Sequence, residues 1–423
     1  MFFFFYQSLE FYWHYYTYPT TTNIAVTTPS HFRIPAVTIC NRNMIKRTQL
    51  CGQYPHLCAK PNNLKGFCQK HSSMCLGKTS DLEIPLFGYY TNSSKNITKE
   101  LRDTIQQLTF NASLEKNDMF FYPDTKTWRT TYVNSFEFAS YARCYSFNLH
   151  IFSKEEPSTV DATGPDRRVI ASMIHEKKEN LYPWVDYQVF LSVHSPLVPD
   201  NPIQYGHELT SGYNYEIFLH FKEEHLLPHP YATNCADYDD LWKKNNKTGP
   251  RSQEMCREFC RKTYNAQCYG CGYYQTMHSY KWQNLCPYGT LSCKDEKLWK
   301  DLELCEENCK PNCLKLKYTY RFKKTKVTTF SNSNFFTVKD MIGVILYTRD
   351  RDVTIVSHLP LYNDWELFSY IGGLMGCWLG ISVWAMVGIS EKSFRKIIWW
   401  KPNLRRKLRR IVRSNASSQT HSP

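Results

Sequence analysis

The chain has 423 residues, which is enough for two or three compact units. Hydrophobic residues make up 42% and aromatic residues 16% of it, and this composition excludes a disordered or low-complexity protein. Seventeen cysteines exclude an ordinary cytosolic enzyme and indicate either the oxidising side of a membrane or a metal protein. The net charge of +14 is concentrated in residues 391–423, which hold ten Lys or Arg and one acid, so no nucleic-acid surface is indicated.

The N-terminal segment is rich in phenylalanine and tyrosine. Its apolar start, Met1–Tyr6, is too short to span a bilayer and lacks the basic region and the small-residue cleavage site of a signal peptide. We therefore expect residues 1–17 to be the outer half of a first membrane helix whose inner half is missing from this sequence.

Several stretches of the central region have the alternation or the β-branched and aromatic content of strands. They are Lys315–Phe322, Tyr187–Val193, Tyr215–Phe221 and Gly343–Tyr347. Residues 92–118 are polar and partly helical in pattern, and we expect them to form an exposed insertion. The sequence thus predicts a β-sheet core with added helices.

Two stretches with helical spacing carry pairs of cysteines one turn apart. They are Met255, Cys256, Phe259 and Cys260, then Leu298, Leu302, Cys305 and Cys309. If these helices pack antiparallel, Cys256 pairs with Cys309 and Cys260 with Cys305. The remaining cysteines then nest as Cys268 with Cys293, Cys271 with Cys286 and Cys235 with Cys313. A zinc site at Cys268-Tyr-Gly-Cys271 is the alternative, but the sequence has no second C-x-x-C.

Leu367–Ile389 is a run of 23 residues without a charge, about 34 Å long as a helix. We interpret it as a transmembrane helix rather than a buried helix of a soluble domain. The basic tail that follows predicts a cytoplasmic C-terminus in contact with anionic lipid, and it places the preceding region outside the cell. Four N-x-S/T sequons support that side, at Asn92, Asn96, Asn111 and Asn246.

The hydrophobic run contains a conspicuous set of small residues. Gly372, Gly376 and Gly380 form two overlapping G-x-x-x-G steps, which favour close helix packing. Alternatively, the helix unwinds at Gly380-Ile381-Ser382 and offers backbone carbonyls to a small hard cation. The residues alone do not decide between these two interpretations.

Four motifs occur in the order known from one family of membrane proteins. They are Ile34–Asn41, Cys144–Asn148, the cysteine array over 235–313, and Gly372–Ser382. Together they resemble the degenerin/epithelial sodium channel/acid-sensing ion channel family, which is amiloride-sensitive. Tyr18-Pro-Thr-Thr-Thr and Leu227–Tyr231 are similar to the arthropod branch of that family.

The resemblance implies an α+β membrane protein, a two-span subunit of a trimeric, stimulus-gated sodium channel of the plasma membrane. Residues 18–364 would form the extracellular domain with a β-sheet palm, a finger and a disulfide-rich helical thumb at about 232–315. Residues 365–389 would line the pore, and residues 390–423 would form the cytoplasmic tail. The partners implied are Na⁺ and two further subunits.

Individual residues take roles from the same resemblance. Gly380, Ile381 and Ser382 match the selectivity filter, Ser369 matches the gate, and Cys40 with Cys144 matches a pair in the palm. Gly372, Gly373 and Gly376 fall in the packing face of the pore helix. Cys51, Cys58, Cys68 and Cys75 have no counterpart in the best-known acid-sensing members and would form two extra finger bridges, with three possible connectivities.

Two departures bear on function. The cytosolic His-Gly gating motif is absent from this sequence, and Gly388 stands where the family usually has an acid, with Glu391 the nearest one. A membrane-anchored receptor or adhesion ectodomain is therefore the alternative function. No enzyme, cofactor or metal site is predicted, because the sequence has neither G-x-S-x-G nor H-E-x-x-H. We interpret His220 as a packing residue, and Asp237–Asp240 as a solvated loop rather than a proton sensor.

Overall fold

The computed structural model describes most of the chain. The described residues are 2–43, 45–75, 79–111, 119–122, 128–135, 140–161, 168–186, 188–271, 276–278, 295–327, 340–347, 352–380, 384–385 and 387–396.

Nine numbered α-helices and seventeen strands lie in these ranges, and residues 384–385 and 387–396 are also helical. The helices are α1 (Phe2–Tyr16), α2 (Arg47–Gln53), α3 (Leu64–Lys70), α4 (Lys95–Asn111), α5 (Pro202–Tyr205), α6 (Tyr238–Lys244), α7 (Gln253–Tyr269), α8 (Glu296–Asn308) and α9 (Asp364–Leu379). The strands are β1 (Thr20–Thr27), β2 (His31–Arg33), β3 (Ala36–Asn41), β4 (Cys58–Ala59), β5 (Ile84–Pro85), β6 (Met119–Tyr122), β7 (Trp128–Ser135), β8 (Ser140–Phe147), β9 (Thr159–Asp161), β10 (Arg168–Ile174), β11 (Val189–His194), β12 (His207–Leu209), β13 (Tyr213–His225), β14 (Met277–His278), β15 (Leu314–Lys326), β16 (Met341–Tyr347) and β17 (Val353–Pro360).

The chain divides into two compact units. One comprises Met1–Thr22, His229–Ala232 and His358–Pro423, and the other comprises Asn23–Pro228 and Thr233–Ser357.

Two sheets form the centre of the larger unit. The first has seven strands among the described residues, in the order β1-β17-β13-β16-β10-β6 with β15 also paired to β13. The second has six, in the order β12-β11-β3-β8-β7-β14. Apolar side chains from both sheets meet in one buried cluster, including Ile39 of β3, Leu191 of β11 and Ile217 of β13. This cluster is the core, and its strands include the four that the sequence predicts.

β15 shows why the alternating pattern was informative. It pairs antiparallel with β13 over its whole length, with Phe221 opposite Tyr318 and Ile217 opposite Phe322. Tyr318, Tyr320 and Phe322 pack against the core, while the residues between them are exposed. Strict alternation along a strand therefore marks one core face and one solvent face.

The expected exposed insertion at 92–118 is different in the structure. Residues 95–111 form α4, whose inner face is buried at Leu101 and Ile105 against Leu50 and Leu57 of a second apolar cluster. Most polar residues of this segment occupy the outer face of an amphipathic helix, although Gln106 and Thr109 are buried, so α4 is packed against its neighbours. We call α2, α3 and α4 with their loops the finger, and the two central sheets the palm. Residues 112–118 lie outside the described residues.

Candidate functional site

Helix α9 starts at a capping box. The Asn363 side chain accepts a hydrogen bond from the backbone N–H of Glu366 (2.8 Å), and the Glu366 carboxylate accepts one from the N–H of Asn363 (2.9 Å). Asp364 and Glu366 also place negative charge at the positive end of the helix dipole. The sequence thus fixes the first turn of the glycine-containing helix locally.

The same helix ends at Gly380. This glycine has φ 65° and ψ 16°, the left-handed conformation, and its N–H donates to the carbonyl of Gly376 at 3.2 Å. Glycine adopts this conformation without the steric cost that a Cβ brings. The helix therefore stops at the first residue of the Gly380-Ile381-Ser382 tract; Ile381 and Ser382 lie outside the described residues.

The small residues of α9 face open space within this chain. A Cβ built on Gly373, Gly376 or Gly380 would meet no atom within 4 Å, and Gly388 beyond the helix shows the same. Gly372 is half-buried, and Ser369 is exposed on the outer part of the helix. Such a stripe leaves room for another helix to approach closely.

Helices α1 and α9 contact each other in antiparallel order. Phe3 stacks on Trp378 with ring centroids 5.4 Å apart, and Phe11 stacks on Tyr370 at 3.8 Å. At the other end of the pair, the Tyr15 hydroxyl donates to the Asp364 carboxylate. The order of these contacts shows that the first apolar segment runs beside the glycine-containing helix.

Neither helix is long by itself. Among the helices that the structure describes, none combines the length and the apolar content needed to cross a membrane. α9 covers residues 367–379 of the predicted 23-residue run, and within the rest of the run Ile381, Ser382, Val383 and Met386 lie outside the described residues.

The thumb cysteines pair as the antiparallel arrangement requires. Disulfides join Cys256 to Cys309, Cys260 to Cys305 and Cys235 to Cys313. Cys268 and Cys271 are also disulfide-bonded, while the predicted partners Cys293 and Cys286 lie outside the described residues. A cysteine held in a disulfide offers no thiolate, so neither the Cys268-Tyr-Gly-Cys271 motif nor the close group Cys256, Cys260 and Cys309 can bind zinc in this state.

The other bridges lie in the palm and the finger. Cys40 of β3 is bonded to Cys144 of β8, directly opposite it in the sheet register. Of the three connectivities open to the finger cysteines, the structure has Cys51 with Cys58 and Cys68 with Cys75. Each finger bridge closes a short local loop.

The four sequon asparagines, Asn92, Asn96, Asn111 and Asn246, are exposed and thus accessible to a glycosyltransferase.

The acidic stretch 237–240 is organised rather than free. Asp237 caps α6, Asp239 pairs with Arg33 at 3.0 Å, and Asp240 pairs with Lys244 at 2.7 Å. Each of these carboxylates is held by a donor, and the stretch is the N-cap and first turn of α6, so the interpretation as a loop is wrong, whereas Asp237 and Asp240 are exposed to solvent as expected.

Some contacts in these sites could not be predicted from the sequence. The aromatic pairs between α1 and α9 join residues more than 350 positions apart, and the pair Arg33–Asp239 spans 206. The only local signal was the density of aromatic residues in the N-terminal segment.

Comparison with known proteins adds the family. The family model described as amiloride-sensitive sodium channel matches residues 1–391. The chain belongs to this family. Epithelial sodium channel subunit gamma-2 of Xenopus laevis is 22% identical over 285 residues, 61% of this chain and 42% of that protein. Epithelial sodium channel subunit gamma of the same organism is 21% identical over 393 residues, 84% of this chain and 58% of that protein. The chain therefore spans about half the length of the curated relatives it matches.

Among solved structures, the cryo-EM structure of a proton-activated chloride channel matches 91% of this chain and 90% of its own, with 5% identity and a TM-score of 0.28. A similarity with this TM-score is too weak to show a common fold. For a member of the amiloride-sensitive sodium channel family, the disulfide-rich mixed α and β domain described above is the expected kind of extracellular domain.

Proposed function

We propose that the chain is a subunit of a trimeric, stimulus-gated, sodium-selective channel that conducts Na⁺ across the plasma membrane. The observation that carries the proposal is the end of α9 at Gly380, in left-handed conformation, directly before Ile381 and Ser382. Membership of the sodium channel family supports the chemistry. No catalytic role is proposed.

The ion path follows from the chemistry of a helix that stops inside an apolar run. Where a helix ends, its last carbonyls have no partner further along the chain. At membrane depth such carbonyls are tolerated only where they face protein or water, and oxygen ligands suit Na⁺. Three copies of Gly380, Ile381 and Ser382 around an axis would supply a ring of these ligands.

The topology is part of the same proposal. Residues 1–17 and 365–389 would lie in the membrane, residues 18–364 outside, and residues 390–423 in the cytoplasm against anionic lipid. The six disulfides whose cysteines both lie in the described residues, the exposed sequon asparagines and the basic tail support this orientation. Ser369 would lie at the gate, eleven residues before Gly380.

Whole-cell recording of cells that express the chain tests the proposal, with Na⁺, K⁺, protons and candidate peptides changed in turn. Enlarging Gly380 to Ala or Ser382 to Val should change the selectivity for Na⁺ over K⁺, or abolish current, at unchanged surface abundance. Gly52→Ala is the matched control, because its added Cβ in α2 meets no atom within 4 Å.

Unchanged selectivity in both enlarged variants would show that this tract is not the filter. Abundant surface protein with no current under any stimulus would favour the alternative, a membrane-anchored receptor or adhesion ectodomain. Counting of fluorescent subunits in single surface complexes tests the trimer.

A further inference from the structure

A buried arginine stands at the base of the thumb, immediately before the N-cap of α7. The Arg251 side chain is 1% exposed. Its Nη1 donates to the backbone carbonyl of Glu155 (2.9 Å), its Nη2 donates to the Glu156 carboxylate (2.8 Å), and its guanidinium lies 3.9 Å from the ring centroid of Trp242. A charge this deeply buried persists only where fixed partners compensate it. We call Arg33, Glu156, Asp239, Trp242 and Arg251 the thumb-base cluster.

Asp239 joins two cations within this cluster. One carboxylate oxygen lies 3.0 Å from Nη2 of Arg33, and the other lies 3.4 Å from Nη2 of Arg251. Arg33 ends β2, and its carbonyl accepts a hydrogen bond from the Tyr318 hydroxyl of β15 at 3.1 Å. The aspartate therefore connects α6 and the start of α7 with strands of the palm.

Little else fills the space between these parts. A cavity of about 620 Å³ lies here, lined on the thumb side by Tyr238 and Arg251 and on the palm side by Leu226, Leu316 and Tyr318. Close-packed interfaces resist movement, whereas an interface with a cavity leaves room for the two sides to shift. Met255 of α7, packed in an apolar cluster with palm residues, and the Cys235–Cys313 bridge hold the thumb nearby. These two contacts limit the distance between the thumb and the palm. The angle between the thumb and the palm then depends on the polar contacts of the thumb-base cluster.

We propose that the thumb-base cluster is a latch that sets the position of the thumb on the palm and thereby biases the pore, with Asp239 as its central positioning residue. The second half of this statement rests on the proposed channel function. Without the aspartate, Arg33 loses its carboxylate partner and Arg251 keeps only Glu156, so the two neighbouring cations share one negative charge and the contact between the thumb base and the palm is weakened.

The test uses the full-length chain in phosphatidylcholine nanodiscs and in cells. Asp239→Asn removes the charge and keeps the shape, Asp239→Glu keeps the charge, and Asp240→Asn breaks the adjacent exposed pair with Lys244 as a matched control. Hydrogen exchange should rise about tenfold or more in α6 and the first turns of α7 for Asp239→Asn, with β13 unchanged. Asp239→Glu should restore most of the protection, and Asp240→Asn should resemble the parent.

Measurement of the resting Na⁺ current distinguishes a latch that biases the pore from a contact that only stabilises the thumb. At equal surface abundance, Asp239→Asn should change the resting Na⁺ current by at least about threefold, which corresponds to a shift in the balance of two gating states. Unchanged exchange in a folded Asp239→Asn protein overturns the latch. Raised exchange with an unchanged current overturns its link to the pore. If neither the parent nor any variant conducts, the channel proposal fails, whereas the exchange measurement still decides the latch.

Discussion

The thumb and helix α9 solve the same problem, the burial of an apolar helix face, in opposite ways. In the thumb, α7 buries Met255 and Cys260, and disulfides connect it to Cys309 at the end of α8 and to Cys305 within α8. α9 has no buried residue in the single chain, and a Cβ on Gly373 or Gly376 would face open space, while Gly372 is half-buried. The inner face of α7 is thus covered within the chain and linked covalently to α8, whereas the face of α9 stays open in the single chain, as the proposed assembly with lipid and other subunits requires. Away from the thumb-base cluster, changes in the thumb should therefore alter stability, and changes in α9 should alter gating or conduction.

The largest effect should come from opening the thumb ladder. Replacing Cys256 and Cys309 together by serine removes one rung of the ladder and should cost about 2–4 kcal/mol of unfolding free energy. The finger pair Cys51 and Cys58, with separation 7, is the reference. Because the intact Cys260–Cys305 rung already shortens the loop that Cys256–Cys309 closes, the two losses should be similar on the chain-entropy model. Thermal melting of the purified full chain measures both.

Non-reducing peptide mapping checks the pairing that this comparison assumes. It should recover Cys256 with Cys309, and recovery of Cys256 with Cys305 would contradict the antiparallel arrangement. A loss for the thumb pair about 2 kcal/mol larger than that for the finger pair would show that the intact Cys260–Cys305 rung does not shorten the loop that this bridge closes.

The next effect concerns Ser369 on α9. In a trimer, three copies of this small side chain would meet near the axis, and a bulky residue would cost about 1–3 kcal/mol by overpacking the closed state. Since about 1.4 kcal/mol shifts a two-state gate tenfold, Ser369→Phe should raise the resting Na⁺ current by about tenfold or more. Ser369→Ala is the control and should change little. A Phe variant that reaches the surface with the parent's resting current would place Ser369 away from the gate.

The difference between the two regions also explains what the sequence could predict. The cysteines one turn apart in the thumb predict their own disulfide pairing, because two antiparallel helices joined by a hairpin allow only one pairing. Likewise, alternation in Lys315–Phe322 identified β15, because one face of that strand meets the core. Such features are local, and a single stretch of chain carries the whole pattern.

Long-range features could not be predicted in this way. Nothing near Arg33 in the sequence points to Asp239, and nothing in the N-terminal segment points to Tyr370. For α9, the sequence left helix packing and unwinding as equal alternatives. The structure keeps the helix through Gly372 and Gly376 and ends it at Gly380, so both alternatives stay predictions. The roles of Ser369 and of the filter tract stay predictions, because they depend on other copies of the chain.

A smaller effect is expected at the start of α9. Asn363→Ala removes the side chain that caps the helix, and loss of such a cap costs about 1 kcal/mol. Hydrogen exchange in the first turn should rise about fivefold, because local opening follows the lost free energy. Asn363→Ser, which retains a capping oxygen, is the matched control. Equal exchange in the Ala and Ser variants would mean that contacts with α1, such as Tyr15 with Asp364, hold this turn without the cap.

The smallest expected effect lies in the thumb and depends on pH. Burial raises the pKa of Glu258 in α7, although its carboxylate accepts hydrogen bonds from the backbone N–H (3.2 Å) and the hydroxyl (2.6 Å) of Thr276. The folded protein therefore binds this proton more tightly than the unfolded chain does. Stability from this group is greatest at low pH and declines as the pH rises from the unfolded value of 4.5 through the raised folded value.

Glu258→Gln removes the charge while keeping an oxygen that can accept from Thr276. Relative to the parent, the variant should gain stability as the pH rises from about 4.5 to 7, by an amount on the order of 1 kcal/mol or less. Thermal midpoints of the full chain at several pH values measure the difference, and Glu303→Gln, at an exposed position of α8, controls for the change in net charge. A difference that does not vary with pH would show that Glu258 is solvated in the folded thumb. Water would then reach the interior of the thumb beside the disulfides. The thumb and α9 would differ less in how far solvent reaches their helices.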